Sequence, residues 1–327
     1  MSRQSDILKR SAAAALLFAL VLVGDGATRH PQAAGPQAAG PQAAGPQAAA
    51  PQAAAPAQPG AGLPLTMPNK EDSLKFAVLG DFGTGSKQQY QLADQMKRVH
   101  DQFPFELVTL VGDNLYGSER PQDFKKKFEI PYKALLDAGV KFYASLGNHD
   151  DPQEQRNYKL FNMDGKQYYT FKPSAKQSVR FFVLESSYLK PEQIAWFEKE
   201  LQASDSDWKI PYFHHPPYSS GERHGSDTQM RDVLEPLFLK YNVSVVLTGH
   251  DHFYERTKPQ KGIVYFVVGS GGQLRKGNID KRTGLTAAGN DQDQSFMIAE
   301  INGDQMWFNA ISRAGQVIDS GVLTRRK

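Results

Sequence analysis

Between residues 74 and 311 the chain alternates short, nearly unbroken apolar runs with amphipathic stretches. The runs over 74–79, 107–111, 140–146, 208–213, 243–247 and 263–268 are rich in Val, Leu, Ile and aromatic residues and too short for buried helices. They read as strands covered on both faces. Helical periodicity predicts helices over 86–102, with Leu92, Met96 and Val99 on one face, and over 122–138, interrupted at Pro131. It predicts two more over 191–201, opening on Pro191, and over 227–240. Residues 168–171 with 179–184, and 295–301 with 306–311 across Asn302-Gly303, read as hairpins. Strand–loop–helix units in succession predict parallel neighbours in an α/β sheet, with the loops after the strand ends gathered on one edge.

The N-terminal part follows another pattern. Arg3, Lys9 and Arg10 precede twelve apolar residues over 12–23, then Gly24, Gly26 and Ala27. Positive, apolar and small residues in that order read as an export leader over 1–27. Twelve residues fall short of the ~20 that a membrane helix needs. With no defined cleavage point, an uncleaved anchor is the alternative. Three copies of Pro-Gln-Ala-Ala-Gly and two of Pro-Gln-Ala-Ala-Ala follow from Pro31. Proline in every unit and no large apolar side chain predict a disordered spacer over 28–69, with one catalytic domain over 70–327. The expected location is secreted, periplasmic or at the cell surface, with membrane attachment only if the leader stays.

Composition narrows the chemistry. The chain has 327 residues, of which about 260 remain for a domain with a substantial core. Its 38 basic and 35 acidic residues give a net charge of +3, and no basic stripe points to nucleic acid. The absence of cysteine excludes disulfides, thiolate ligands and a thiol nucleophile. A metal would have to be held by His, Asp, Asn, Glu or Tyr, a set that favours harder ions.

Five predicted strand ends carry such residues: Gly80-Asp81-Phe82-Gly83, Gly112-Asp113-Asn114-Leu115-Tyr116, Gly147-Asn148-His149-Asp150, His214-His215-Pro216-Pro217 and Gly249-His250-Asp251-His252. Each alone is an ordinary turn. Together, in this order, they resemble the binuclear metallophosphoesterases of the calcineurin-like superfamily. Tyr116, and Tyr254-Glu255-Arg256 after the last histidine, make them similar to the purple and tartrate-resistant acid phosphatases. The resemblance spans about 76–272.

The resemblance implies a four-layer αββα sandwich of two mixed β-sheets flanked by helices, with the metal site at the C-terminal edge of the strands. One ion would be held by Asp81, Asp113, Tyr116 and His252. The other would be held by Asp113, Asn148, His214 and His250, with Asp113 bridging. The family often has valine three residues before the strand-end histidine. Here that position is Pro211 for His214 or Tyr212 for His215. The His-Pro-Pro that follows His214 resembles the family's turn and selects His214 over His215. The cofactors implied are Fe(III) with a divalent Fe, Zn or Mn.

Two cations side by side acidify a shared water, which becomes the nucleophile, and neutralise charge on the phosphate. His149 and His224 are the candidates for protonating the leaving group. His30 and His100 receive no role, and Gly269-Ser270-Gly271-Gly272 reads as a tight turn beside the site. The expected function is an exported acid phosphatase acting on small phosphate monoesters, with phosphoproteins as further substrates. A phosphodiesterase or nucleotide pyrophosphatase on the same metal core is the alternative. A non-catalytic, surface-displayed module is the third reading; the loss of a bridging ligand would mark it, and none is lost.

Overall fold

The computed structural model describes residues 63–327. The expected leader, the repeats and His30 lie outside the described residues. In chain order come β1 (Leu74–Leu79), α1 (Lys87–Gln102), β2 (Leu107–Val111), α2 (Pro121–Phe124), α3 (Lys133–Asp137), β3 (Lys141–Ser145), α4 (Pro152–Gln155), β4 (Tyr169–Phe171) and β5 (Val179–Val183). They are followed by α5 (Pro191–Gln202), β6 (Trp208–Tyr212), α6 (Thr228–Lys240), β7 (Val245–Thr248), β8 (Tyr254–Thr257), β9 (Val264–Val268), β10 (Thr286–Asn290), β11 (Ser295–Asn302), β12 (Gln305–Ser312) and β13 (Val317–Thr324).

These strands form two mixed sheets, in the orders β13-β12-β11-β1-β2-β3 and β10-β8-β9-β7-β6-β5-β4. β1, β2 and β3 are parallel, as are β5, β6, β7 and β9. The hairpins lie at the margins: β11–β12–β13 beside β1, and β8 with β10 beside β9.

Alternation along the second sheet explains the layers. Phe181, Val245, Leu247 and Phe266 point into the core shared with the first sheet. Their neighbours Phe182, Val246 and Tyr265 point into a second core roofed by α5 and α6. Across the shared core, Phe76 meets Phe181 edge-on at 5.3 Å between ring centres, and Phe266 meets Phe308 at 5.1 Å. With both faces covered, the central strands carry apolar residues at most positions on both faces. α1 covers the outer face of the first sheet through Leu92, Met96 and Val99, and Ser86 caps it by accepting from the Gln89 N–H. The expected helix over 122–138 is α2, a π-helical turn over Lys125–Glu129, and α3 after Pro131.

The domain boundary expected at residue 70 moves. The spacer was read as running to 69, yet its described end already lies on the domain. Leu63, Leu65 and Met67 pack against the core at every second position. The Thr66 N–H donates to Asn309 Oδ1 at 2.9 Å, and the Glu300 carboxylate accepts from the N–H groups of Asn69 and Lys70, each at 2.7 Å. Once the Pro-Gln-Ala repeat ends, three large apolar residues have somewhere to go. Among the described residues, no helix is long and apolar enough to cross a membrane.

Candidate metal centre

β1, β2, β3, β6 and β7 end on one edge, and each of the five motif loops follows one of them. The seven expected ligands converge there in two groups that share Asp113.

In the first group, Tyr116 Oη lies 3.1 Å from Asp81 Oδ1 and 3.3 Å from His252 Nε2, and His252 Nε2 lies 3.4 Å from Asp81 Oδ1. Ligand atoms of Asp81, Asp113 and His252 all fall within 4.8 Å of one another. In the second group, His214 Nε2 lies 3.1 Å from His250 Nδ1, 3.2 Å from Asn148 Oδ1 and 3.4 Å from Asp113 Oδ1. Two donors on one ion, each at about 2.0–2.2 Å, sit about 3.0–3.5 Å apart at angles from square to tetrahedral. All six distances fall in that window.

Proton placement supports the same reading. His214 Nδ1 is 3.0 Å from the Val111 carbonyl, whose oxygen can only accept. The ring therefore carries a proton on Nδ1, and Nε2 faces two oxygens, Asn148 Oδ1 and Asp113 Oδ1. A nitrogen aimed at two oxygens calls for positive charge between them, which a second proton or a metal ion would supply. The residues present thus fit two metal ions bridged by Asp113.

The electrostatics follow from crowding buried charge. Burial opposes a proton on His214, but the Asp113 and Asp81 carboxylates outweigh it and push its pKa up to about 9. Burial also works against the Asp113 carboxylate, yet His214 beside it holds that group below the usual carboxylate range. Burial pushes Asp81 up. Burial, with His214 and His215 nearby, takes His250 down to about 2, so it stays a neutral donor. Tyr116 is pushed up by burial and then by Asp81 and Asp113, so an ion bound there must displace the phenol proton.

The backbone is bent to bring these groups in. Asp81, Asp113 and His250 adopt φ of 54°, 48° and 71°, left-handed values that non-glycine residues rarely hold. Gly112, at φ 90°, sits under the His214 ring, where a Cβ would lie 2.7 Å from Nδ1. At Gly147 a Cβ would lie 2.3 Å from Asp113 Oδ1. Gly112, Gly147 and Gly249, each just before an expected ligand, leave room for the side chain of another.

His149 and His224 stand at the rim. The His149 ring lies 5.0 Å from the Tyr116 ring, and the His149 backbone N–H donates to Asp113 Oδ1 at 2.9 Å. The His224 ring lies 4.3 Å from that of His250. His215 lies beside the ligands: its Nδ1 accepts from the Ser186 hydroxyl at 2.9 Å, and burial lowers its pKa to about 4. His100 packs on Phe105, and the 269–272 turn brackets Asp81, whose carbonyl accepts from Gly272 and Gln273.

Sequence reasoning missed the groups that hold the loops. Asp150 was quoted in its motif without a role. Its carboxylate accepts from the N–H groups of Asn114, Leu115 and Gly147, tying two ligand loops together. Asp251, between the last two ligands, accepts from Ser219 Oγ at 2.5 Å and from the Gly225 N–H, fixing the loop that carries His224. Arg275 donates its N–H to the His252 carbonyl, and one of its guanidinium nitrogens is buried without a partner. A second acidic residue in a metal-site loop was the available signal for Asp150 and Asp251; Arg275 had none. Tyr254 and Arg256 both bond Asp319 on β13, and Glu255 accepts from Ser220 and Thr286, so that motif serves the scaffold.

A model of the calcineurin-like phosphoesterase family matches residues 74–254, more than half of the chain. Purple acid phosphatase 17 of Arabidopsis thaliana is 27% identical over 252 residues, covering 66% of this chain and 74% of that protein. Human tartrate-resistant acid phosphatase type 5 is 25% identical over 309 residues, 81% of this chain and 95% of the relative. Among solved structures, GAP50, described as the anchor in the inner membrane complex of Plasmodium, superposes with a TM-score of 0.68 at 22% identity, covering 78% of this chain and 90% of that one. The purple acid phosphatase PPD1 from yellow lupin seeds gives 0.63 at 20% identity, covering 79% of this chain and 55% of that one. The two structural likenesses carry the fold.

Proposed function

Because the chain belongs to the calcineurin-like phosphoesterase family, we propose that it is an exported, metal-dependent acid phosphatase that hydrolyses phosphate monoesters. The observation that carries this reading is the pair of ligand groups, each spaced as donors around one ion and sharing Asp113. Asp81, Tyr116 and His252 would hold one ion, Asn148, His214 and His250 the other. Two ions there would acidify water and neutralise phosphate charge. A phenolate with carboxylate and imidazole suits Fe(III) at the Tyr116 position, and an amide oxygen with two imidazoles suits a divalent Fe, Zn or Mn.

The remaining steps belong to the chain's own groups. His149, beside Tyr116, and His224, beside His250, are the donors for the leaving oxygen. Arg223 and Arg275 put positive charge near His224, which suits an anionic ester. No serine or threonine belongs to either ligand group, so the reaction needs no phosphorylated protein intermediate. The names of the Arabidopsis and human relatives, both acid phosphatases, support the monoester preference. Export is supported by the order of residues over 1–27.

The test compares a chromogenic aryl monoester with its bis-ester at pH 5. Faster monoester turnover is expected, and faster bis-ester turnover would move the assignment to a phosphodiesterase. A visible charge-transfer band, lost in Tyr116→Phe with activity retained, is expected for Fe(III); a colourless protein rich in manganese would contradict iron.

A further inference from the structure

Two cavities lie along α1, and no residue lining them belongs to a ligand loop of the metal centre. One, of about 310 Å³, is polar throughout: Gln91, Asp94, Gln95, Arg98 and Arg313 line it. In the other, of about 260 Å³, Ala93, Pro131, Ala134 and Leu135 form an apolar wall, and Asp94 and Arg98 line this one too. The two charged residues therefore stand where a polar and an apolar hollow meet. Asp94 and Arg98 are one helical turn apart, a spacing at which Asp and Arg stabilise a helix by pairing. Their neighbours do pair: Lys97 with Asp101, and Arg313 with Asp293 at 2.8 Å. Arg313 also donates from Nη1 to Gln91 Oε1 at 2.7 Å. Among the described residues, Asp94 and Arg98 have no ion-pair partner, and both are exposed. Beside them Gln95 is only 5% exposed, and its Nε2 is buried without a hydrogen-bond partner. A lone anion entering here would meet the Asp94 carboxylate, and a lone cation would meet Arg98 and Arg313. A molecule that carries both charges close together answers both.

We propose that the meeting of these two cavities at Asp94 and Arg98 is a binding site for a free α-amino acid with an apolar side chain, separate from the metal centre. The ligand's carboxylate would pair with Arg98 on the Gln95 side, and its ammonium with Asp94. Its side chain would lie against Ala93 and Leu135, where leaving water favours it. The volume agrees: a cavity of about 150 Å³ holds one benzene, so the apolar hollow has room for a branched aliphatic side chain. The inference does not depend on the phosphatase reading.

Isothermal titration calorimetry of the full chain with L-leucine tests it, and a Kd of about 1 mM or tighter is expected. Three analogues each lack one feature: glycine the side chain, N-acetyl-L-leucine the ammonium, and L-leucine methyl ester the carboxylate. Each should bind about tenfold more weakly or worse. Asp94 and Arg98 are exposed on α1, so Asp94→Asn and Arg98→Gln will fold, and each should weaken leucine about tenfold or more. Ala134→Phe, also at an exposed position, fills the apolar hollow and should remove the preference for leucine over glycine. No binding of leucine up to about 10 mM overturns the site. So does any of the three analogues bound as tightly as leucine, or a leucine preference that survives Ala134→Phe. Leucine binding unchanged in both charge variants overturns it as well, because the ligand would then sit elsewhere, the metal ions included.

Discussion

Three residues at the centre, Asp81, Asp113 and His250, hold positive φ. Each costs about 1–3 kcal/mol that the surrounding structure must offset. The return is geometric: a left-handed residue directly after a strand turns its side chain back over the sheet edge. Gly112 marks the tightest place, and Gly112→Ala drives a methyl into the His214 ring at a φ that alanine rarely adopts. We expect it to cost about 2–4 kcal/mol, read as a lower midpoint in urea. A nearby carboxyl gives a pH signature clear of the ligands. Burial pushes Glu119 up to about 7 from 4.5, although the Asp151 N–H and Gln155 Nε2 donate to it. Between those values the folded chain holds the proton and the unfolded chain releases it, so this group's contribution to stability falls as pH rises through the window. Glu119→Gln should therefore gain stability over the wild type progressively from pH 4.5 to 7, as measured by thermal melts; a gain that shrinks over that range would contradict the raised pKa.

At the scale of elements, the site is a property of loop pairs. β2 and β3 are parallel neighbours, and Asp150 staples the loops that follow them by accepting from three backbone N–H groups on the two sides. Asp150→Ala orphans those donors and should cost about 2–4 kcal/mol. It should also weaken metal retention about ten- to hundredfold in chelator competition, as removal of outer support does elsewhere. Unchanged retention would show that the two loops hold their own shape. The same scale explains what the sequence left unread. The central strands were legible because burial on both faces leaves them largely apolar. β8 reads Tyr-Glu-Arg-Thr and looks like a loop, since its charges are paired with partners far along the chain: Asp319 for Arg256, Ser220 and Thr286 for Glu255. β10 has no large side chain, and β13 is an edge strand with Gly321 facing the Phe308 ring. Their pairing comes from neighbours that no local pattern records.

For the molecule as a whole, the seven residues that converge could be named from residue types because the fold brings every motif loop to one edge. The roles of Asp150 and Asp251 could not, since a carboxylate that binds backbone and one that binds metal look alike in sequence. The domain boundary was misplaced for a similar reason: Leu63, Leu65 and Met67 gain meaning only against the sheet that receives them. Removing residues 1–62 should leave the melting temperature of the domain unchanged. Extending the deletion through 69 uncovers that apolar face and the Glu300 carboxylate, and should lower stability by about 2–3 kcal/mol. Equal melting temperatures for the two deletions would return the boundary to residue 70.

The proposed sharing of the Asp113 carboxylate by two cations is the feature on which the proposed chemistry turns. Elemental analysis of the purified wild type and of Asp113→Asn, alongside aryl monoester turnover, reaches it most directly. Two ions per wild-type chain are expected, with at least one lost from the variant and turnover down more than about a hundredfold, beyond what an outer-shell change produces. A variant that keeps both ions, or keeps its turnover, would contradict the bridged centre.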